Sequence, residues 1–219
     1  MERLLQWKYL GLVPYDTGRQ QQQGLLEQRL DGCCEDAIIV CQHPPTITFG
    51  KNFNPAESDF SNSFWEILAP DYRKVARGGQ ATFHSPGQLL IYPVFHLTTL
   101  RLGVRSFVNG SLSVISDCLE RFGIENKVSD EPVGIWVCKG TDEKLSSKIV
   151  FAGVRVCRGV TDHGFAINFD NDLTPFSYFN SCGLKSPVTS VKQELGSGVS
   201  IDEFLKLLEI KFREWHLSC

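Results

Sequence analysis

No apolar run in this chain of 219 residues approaches the ~18 residues that a bilayer-spanning helix needs, so no segment of it is expected to cross a membrane. Charge of one sign is equally scarce. The formal net charge is only −3, which supplies no overall basic field for nucleic acid and leaves room only for a local basic patch, for example around Arg73, Lys74 and Arg77. Neither an internal repeat nor a linker divides the chain, so residues 1–219 are expected to form a single domain. No secretory signal precedes the eight cysteines, and Cys41, Cys118, Cys138 and Cys157 fall in apolar periodic segments, where free cysteine behaves as a small hydrophobe. The thiols are therefore expected to be reduced. Cys33, Cys34, Cys41 and His43 match no common zinc spacing, and Lys139 to Ser147 lacks the spacing of a phosphate-binding loop, so neither a metal nor another cofactor is expected.

What is present reads as mixed strands and helices without strict βαβ alternation, an α/β fold of the α+β type with a mixed sheet flanked by helices. Leu5, Trp7 and Tyr9 alternate with polar residues up to Pro14 and predict a strand. A helix follows to Leu30, capped by Asp16 or Thr17, with Gln20 to Gln23 as its solvated face. Ala37 to Cys41 reads as a buried strand, Ile47 and Phe49 as another, and residues 51–70 as a surface loop or lid. Pro93 places the strand Leu89 to Phe95 at a sheet edge. Apolar residues from Val104 to Phe122 recur at three and four positions, as do those from Ile201 to Trp215 behind the Ser200 and Glu203 capping box, and both predict amphipathic helices. Ile124 to Val128, Val133 to Cys138, Lys148 to Val156 and His163 to Phe169 complete the predicted strands.

The densest stretch is Arg77 to Gln88, where three glycines, a proline, an arginine and a histidine crowd between two predicted strands. Adjacent glycines give up packing and cost backbone entropy, which suits a loop where something lies against bare backbone. Arg77 can meet an anionic ligand or cap a carbonyl. Cys182 stands in an Asn-x-Cys-Gly turn, a nucleophile's setting if a nearby cation or N–H cluster favours the thiolate, and otherwise an inert turn cysteine. Lys148 heads an apolar strand, where desolvation can make it a base at neutral pH, unless it snorkels out from the sheet edge. His84 and His163 are each as compatible with a satisfied buried histidine as with a catalytic one.

In order and spacing, Arg77-Gly78-Gly79-x-x-Thr82-Phe83-His84-x-Pro86-Gly87-Gln88-Leu89, Lys148-Ile149-x-x-x-Gly153-Val154, His163-Gly164-x-Ala166-x-Asn168 and Cys182-Gly183 resemble the lipoyl(octanoyl) transferase family. Leu10 to Tyr15 and His43-Pro44-Pro45 resemble its early segments, so the likeness covers nearly the whole chain. It implies the fold of the biotin and lipoate protein ligases. It also implies an acyltransferase that moves octanoate from acyl carrier protein to a lysine on the lipoyl domain of a 2-oxoacid dehydrogenase E2 subunit or the glycine cleavage H protein. By the same resemblance Cys182 is the catalytic cysteine, and Lys148 the lysine that lowers its pKa. Acyl contacts carry over to Arg77, Gly78, Gly79, Gln80, Ala81, Thr82, Phe83 and His84, to Phe151, Ala152 and Gly153, and to Gly164, Phe165 and Ala166. Where the family commonly has proline before the cysteine and glycine after the histidine, this chain has Ser181 and Ser85. Cysteine frequency and the Val188-Thr189-Ser190 segment resemble animal members, which implies a mitochondrial location, the alternative being a bacterial cytoplasm. No Arg- and Ser-rich presequence is visible.

A thiolate attacks a thioester without ATP, and a lysine amine can then take the acyl group as an amide. An ATP-dependent lipoate or biotin ligase needs no such cysteine. A thioesterase would deliver the acyl group to water, and a non-catalytic carrier-binding module has no use for Cys182 and Lys148 together.

Overall fold

The computed structural model describes residues 4–54, 71–138, 145–177, 187–196 and 199–219. The chain enters as β1 (Leu5–Leu12), α1 (Tyr15–Leu30), β2 (Asp36–Gln42), β3 (Thr46–Phe49), β4 (Asp71–Lys74), β5 (Ala81–His84) and β6 (Gln88–Val94). It continues as α2 (Leu97–Leu100), α3 (Val104–Arg121), β7 (Asn126–Asp130), β8 (Val133–Cys138), β9 (Leu145–Cys157) and β10 (Val160–Asn168). A 3₁₀ turn (Thr174–Ser177), α4 (Val191–Leu195) and α5 (Ile201–Ser218) complete it.

Among the described residues the strands form a seven-stranded sheet in the order β1-β2-β6-β10-β9-β8-β7 and a three-stranded sheet in the order β4-β3-β5. The large sheet is mixed: β1 runs parallel to β2, and its other neighbours pair antiparallel. Alternation sorts its side chains onto two faces. Ile38, Val40, Leu89, Ile91, Phe165 and Ile167 pack with Phe107, Leu112 and Ile115 of α3 and with Phe204, Leu208 and Phe212 of α5. Ile39, Cys41, Leu90, Tyr92, Phe151 and Ala166 pack with Ile47, Ala81 and Phe83 of the small sheet. The two long helices therefore close one face and the small sheet the other, so any site built from the central loop faces the latter.

Three departures from the expected elements bear on that face. Ala81–His84 is a strand inside the expected loop, because it pairs antiparallel with β3 from Thr46↔His84 to Phe49↔Ala81. β6 is central, not an edge: its ladder with β10 ends at Ile91, so Pro93 stands beyond the last pair, and the Thr161 hydroxyl donates to Pro93 O at 2.8 Å in place of a backbone donor. The glutamine face of α1 is not wholly solvated, since Gln22 is fully buried and its Nε2 donates to His163 O at 2.9 Å. The helix also begins earlier than expected, with Pro14 at its N-cap in place of Asp16 or Thr17 and no side-chain cap. Asp16 is instead ion-paired with Arg73, which also pairs with Asp71, and Arg77 is buried, so the proposed basic cluster does not form a cationic patch.

Candidate active site

Between the large and small sheets, under the start of α1, lies a pocket whose walls leave about 520 Å³ of space, open solvent at its mouth included. Arg77, Gly79, Ala81, Thr82 and His84 line it from the central loop and β5, Phe151, Ala152 and Gly153 from β9, and Gly164, Phe165 and Ala166 from β10. Of the expected acyl contacts, Gly78, Gln80 and Phe83 do not line it. The Phe83 ring is turned into the small sheet's core, edge-on to Phe176, Gly78 O accepts from Arg77 Nη1, and Gln80 O accepts from Gly50 N. Tyr15, Leu90, Tyr92 and His163 line it as well and were not among the expected contacts. Tyr15 and His163 do fall in the segments that carried the resemblance.

Arg77 is a structural clamp. Its Nη2 donates to Thr48 O at 2.6 Å and its Nε to Thr48 Oγ1 at 3.1 Å, which ties the glycine loop to β3. The loop lies close against β9: a Cβ on Gly153 would come 3.1 Å from Arg77 Cδ. From Thr48 a relay of donors crosses the back of the pocket. The Thr48 hydroxyl faces His84 Nε2 at 3.2 Å, His84 Nδ1 faces Gln88 Oε1 at 2.7 Å, Gln88 Nε2 donates to Asn168 Oδ1 at 2.9 Å, and Asn168 Nδ2 donates to Thr189 O at 3.1 Å. Because an amide oxygen can only accept, the relay assigns the proton of neutral His84 to Nδ1.

His43 makes a second fixed pair, donating from Nδ1 to Val13 O at 2.9 Å and accepting from the Tyr92 hydroxyl at 2.9 Å. His163 sits at φ 59, its carbonyl held by Gln22 and its N–H by Asp162 Oδ1 at 2.9 Å. Burial works against the Asp162 carboxylate, but the hydrogen bond and charge of Arg19 overcome it and hold the carboxyl below its ordinary range. Burial, with the His43 ring beside it, pushes His84 down to about 3. Burial and the Arg19 guanidinium likewise lower His163, and burial lowers His43.

An acid lability follows. Below the unfolded value of about 6.5 the unfolded chain takes up protons that the folded histidines refuse. Stability is intact above that pH and falls by about 1.4 kcal/mol per pH unit for each such histidine as the pH drops toward the folded values. The urea midpoint at pH 5.5 is expected to lie well below that at pH 7.5. Equal midpoints would mean that these rings are protonated inside the fold.

Lys148 lies at the β8 side of the pocket and is only 4% exposed. Its Nζ donates to Val133 O at 2.7 Å and stands 5.0 Å from the Phe151 ring centroid and 5.3 Å from that of Trp136. A β-bulge puts it there. Ile135 pairs with Val150 and Trp136 with Lys148, so Ile149 is an extra residue on β9. Ile149 and Val150 both enter the helix-side core, and Lys148 comes out on the same face as Phe151. Gly134 makes room for it, since a Cβ there would lie 2.6 Å from Lys148 Cε and 2.4 Å from Val150 O, at a φ of +146 that side chains rarely adopt.

Cys182 lies outside the described residues. The chain on either side of residues 178–186 is anchored at this end of the pocket: Phe176 stacks on Phe151 with centroids 5.6 Å apart, Lys148 N donates to Pro187 O at 2.9 Å, and Thr189 N donates to Lys148 O at 3.0 Å. None of the seven described cysteines is in a disulfide. Burial raises the Cys41 and Cys118 thiols, while Cys33 is exposed. Among the described residues no group of three potential metal ligands comes together; Cys41 Sγ and His43 Nε2 are 3.6 Å apart, with Cys33 on the surface.

Residues 15–213 match the family model described as the lipoyl protein ligase A/B catalytic domain. An octanoyltransferase of Koribacter versatilis is 32% identical over 212 residues, covering 95% of this chain and 83% of that protein. One of Solibacter usitatus is 34% identical over 196 residues, covering 90% and 86%. Among solved structures, a bipartite lipoate protein ligase from Thermoplasma acidophilum superposes with a TM-score of 0.71 at 16% identity, covering 96% of this chain and 82% of that one.

Proposed function

The chain belongs to the lipoyl protein ligase A/B catalytic domain family and is an acyltransferase, and from that premise we propose a two-step octanoyl transfer carried by Cys182. The donor is octanoyl-acyl carrier protein, and the acceptor is a specific lysine of a lipoyl domain, on a 2-oxoacid dehydrogenase E2 subunit or the glycine cleavage H protein. The reading rests on one observation above the others: a pocket floored by small residues ends at Phe151, and the Lys148 amine packs against that same ring. Pro187, hydrogen-bonded to Lys148, is five residues from Cys182, a reach of at most about 18 Å.

In the first step the Cys182 sulfur attacks the thioester carbonyl, the carrier's thiol leaves, and Lys148 moves the proton from the cysteine to the leaving sulfur. In the second, the acceptor lysine attacks the new thioester. Lys148 takes the proton that the amine loses and returns it to the Cys182 thiolate as the amide forms. No nucleotide enters either step. The walls at Ala81, Phe151, Gly164 and Ala166 exclude water from the acyl chain, at about 0.8 kcal/mol for each methylene buried. The reported relatives are bacterial, in line with the cytoplasmic alternative; the mitochondrial location rests on the resemblance to animal members alone.

Intact mass after mixing with octanoyl-acyl carrier protein, without nucleotide, tests the scheme. A gain of one octanoyl group, discharged when a lipoyl domain is added, is the expected result. Incorporation that requires ATP and free octanoate would assign ligase chemistry, and rapid release of free acid a thioesterase. Gly134→Ala supplies a separate check, because its methyl takes the space of Lys148. A fall in acyl uptake of at least about tenfold is expected, with a loss of about 1–3 kcal/mol in urea stability. Unchanged uptake would place the working amine elsewhere.

A further inference from the structure

Resting on the transfer reading above, we propose that Leu90 is the residue that sets acyl chain length, as the end wall against which the methyl terminus of the bound chain stops. The register of the sheet carries the argument. Ala166 on β10 pairs with Phe151 of β9 on one side and with Leu90 of β6 on the other. All three side chains lie on the pocket face of the sheet.

The carbonyl end of an acyl chain belongs beside Phe151, where the Lys148 amine stands 5.0 Å from the ring. From there the path crosses β10 at Gly164 and Ala166, small residues that leave a shallow trough. Beyond them the wall rises at Leu90 and Tyr92. Neighbouring strands are about 4.8 Å apart, so the path from β9 across β10 to β6 is about 10 Å. Extended chain advances about 3.6 Å for every three bonds, which puts the end carbons of an eight-carbon acyl group about 8 Å apart, before the radius of the terminal methyl. It therefore fills the trough and ends at β6.

The two wall residues differ in how firmly they are held. Tyr92 is pinned by its hydroxyl to His43 at 2.9 Å. Leu90 has no polar tether. Its neighbour on the far side is Cys41 of β2, directly opposite it in the ladder, fully buried and small. Shortening Leu90 opens the trough toward Cys41 by three carbons. Enlarging it closes the trough over Ala166.

The test is a competition. The protein is mixed with equal amounts of hexanoyl, octanoyl, decanoyl and dodecanoyl thioesters of acyl carrier protein, and the acyl-enzyme masses are read at a single turnover. Wild type is expected to load chiefly octanoate. Leu90→Ala is expected to raise the decanoyl-to-octanoyl ratio about tenfold, the discrimination that two buried methylenes provide. Leu90→Phe is expected to shift loading toward hexanoate by a similar factor, which keeps the proposal open to refutation should Leu90→Ala fail to fold. Octanoate loading by wild type with the same spectrum in both Leu90 variants overturns the length assignment alone. A wild-type protein that loads no acyl group overturns the transfer reading itself.

Discussion

A Cys182→Ser protein is expected to transfer no measurable octanoyl group and to gain no mass from octanoyl-acyl carrier protein, a loss of at least about 1,000-fold. The hydroxyl is a far weaker nucleophile than a thiolate at neutral pH. The change removes one sulfur and leaves the Phe176 and Pro187 anchors in place, so thermal stability should barely move. Full transfer by this variant would end the covalent scheme. Alkylation at limiting reagent provides an independent reading, since Cys41 and Cys118 are buried with thiols pushed up by burial. Cys33 is exposed and Cys34, Cys138, Cys157 and Cys219 are half-buried, so the comparison is made in a Cys33→Ser background and each adduct is located by peptide mass, with the first expected on Cys182.

The elements most legible in the sequence were those whose burial repeats with a simple period. The apolar stripes of α3 and α5 and the unbroken apolar runs of β2 and β6 each bury one face or both against neighbours already implied by composition. Legibility failed where tertiary pairing overrode the local signal. Ala81 to His84 looked like loop because glycines and a proline surround it, and only the distant β3 makes it a strand. Pro93 looked like an edge marker because its setting is made by distant chain: the β10 ladder ends at Ile91, and the Thr161 hydroxyl, 68 residues away, donates to Pro93 O. Gln22 looked solvated because its acceptor, His163 O, is supplied by β10.

The same distinction runs through the site. Most of the expected acyl contacts line the pocket, since the motifs that carried the resemblance are the loops and strands that build it. Phe83 does not, because its ring packs edge-on to Phe176 in the core between the sheets. Tyr92 and Leu90 looked like ordinary core residues of a buried strand; nothing in a continuous apolar run says which side chain stops at a cavity.

Lys148 is where local pattern and structure diverge most, and its replacement carries the second large expected effect. Counting alternation back from Phe151, position 148 belongs on the helix-side core with Val150; the bulge at Ile149 reverses that parity and brings the amine onto the face of Phe151. Lys148→Ala and Lys148→Arg are both expected to cost about 100-fold or more in acyl uptake and again in transfer to the lipoyl lysine. Arginine keeps the charge but stays protonated at any working pH, so it cannot carry a proton in either step. It is also bulkier and planar where the lysine amine stands 5.3 Å from the Trp136 and 5.0 Å from the Phe151 ring centroid, so steric displacement is a second route to the same loss. Small-amine rescue separates the two causes. Lys148→Ala vacates the slot, and if proton transfer is what the lysine supplies, methylamine or ethylamine added to this variant should restore both steps. The restored rate should climb with the concentration of the neutral amine, hence with pH at fixed total amine, whereas a guanidinium compound of similar size should restore neither. Equal rescue by the guanidinium would make Lys148 an electrostatic partner of the thiolate, with the proton carried by another group. Of the alternatives, His84 is the less suited, because its Nδ1 proton is committed to Gln88 and its Nε2 faces the Thr48 hydroxyl. His163, on the pocket wall beside Gly164, is then the residue to replace next.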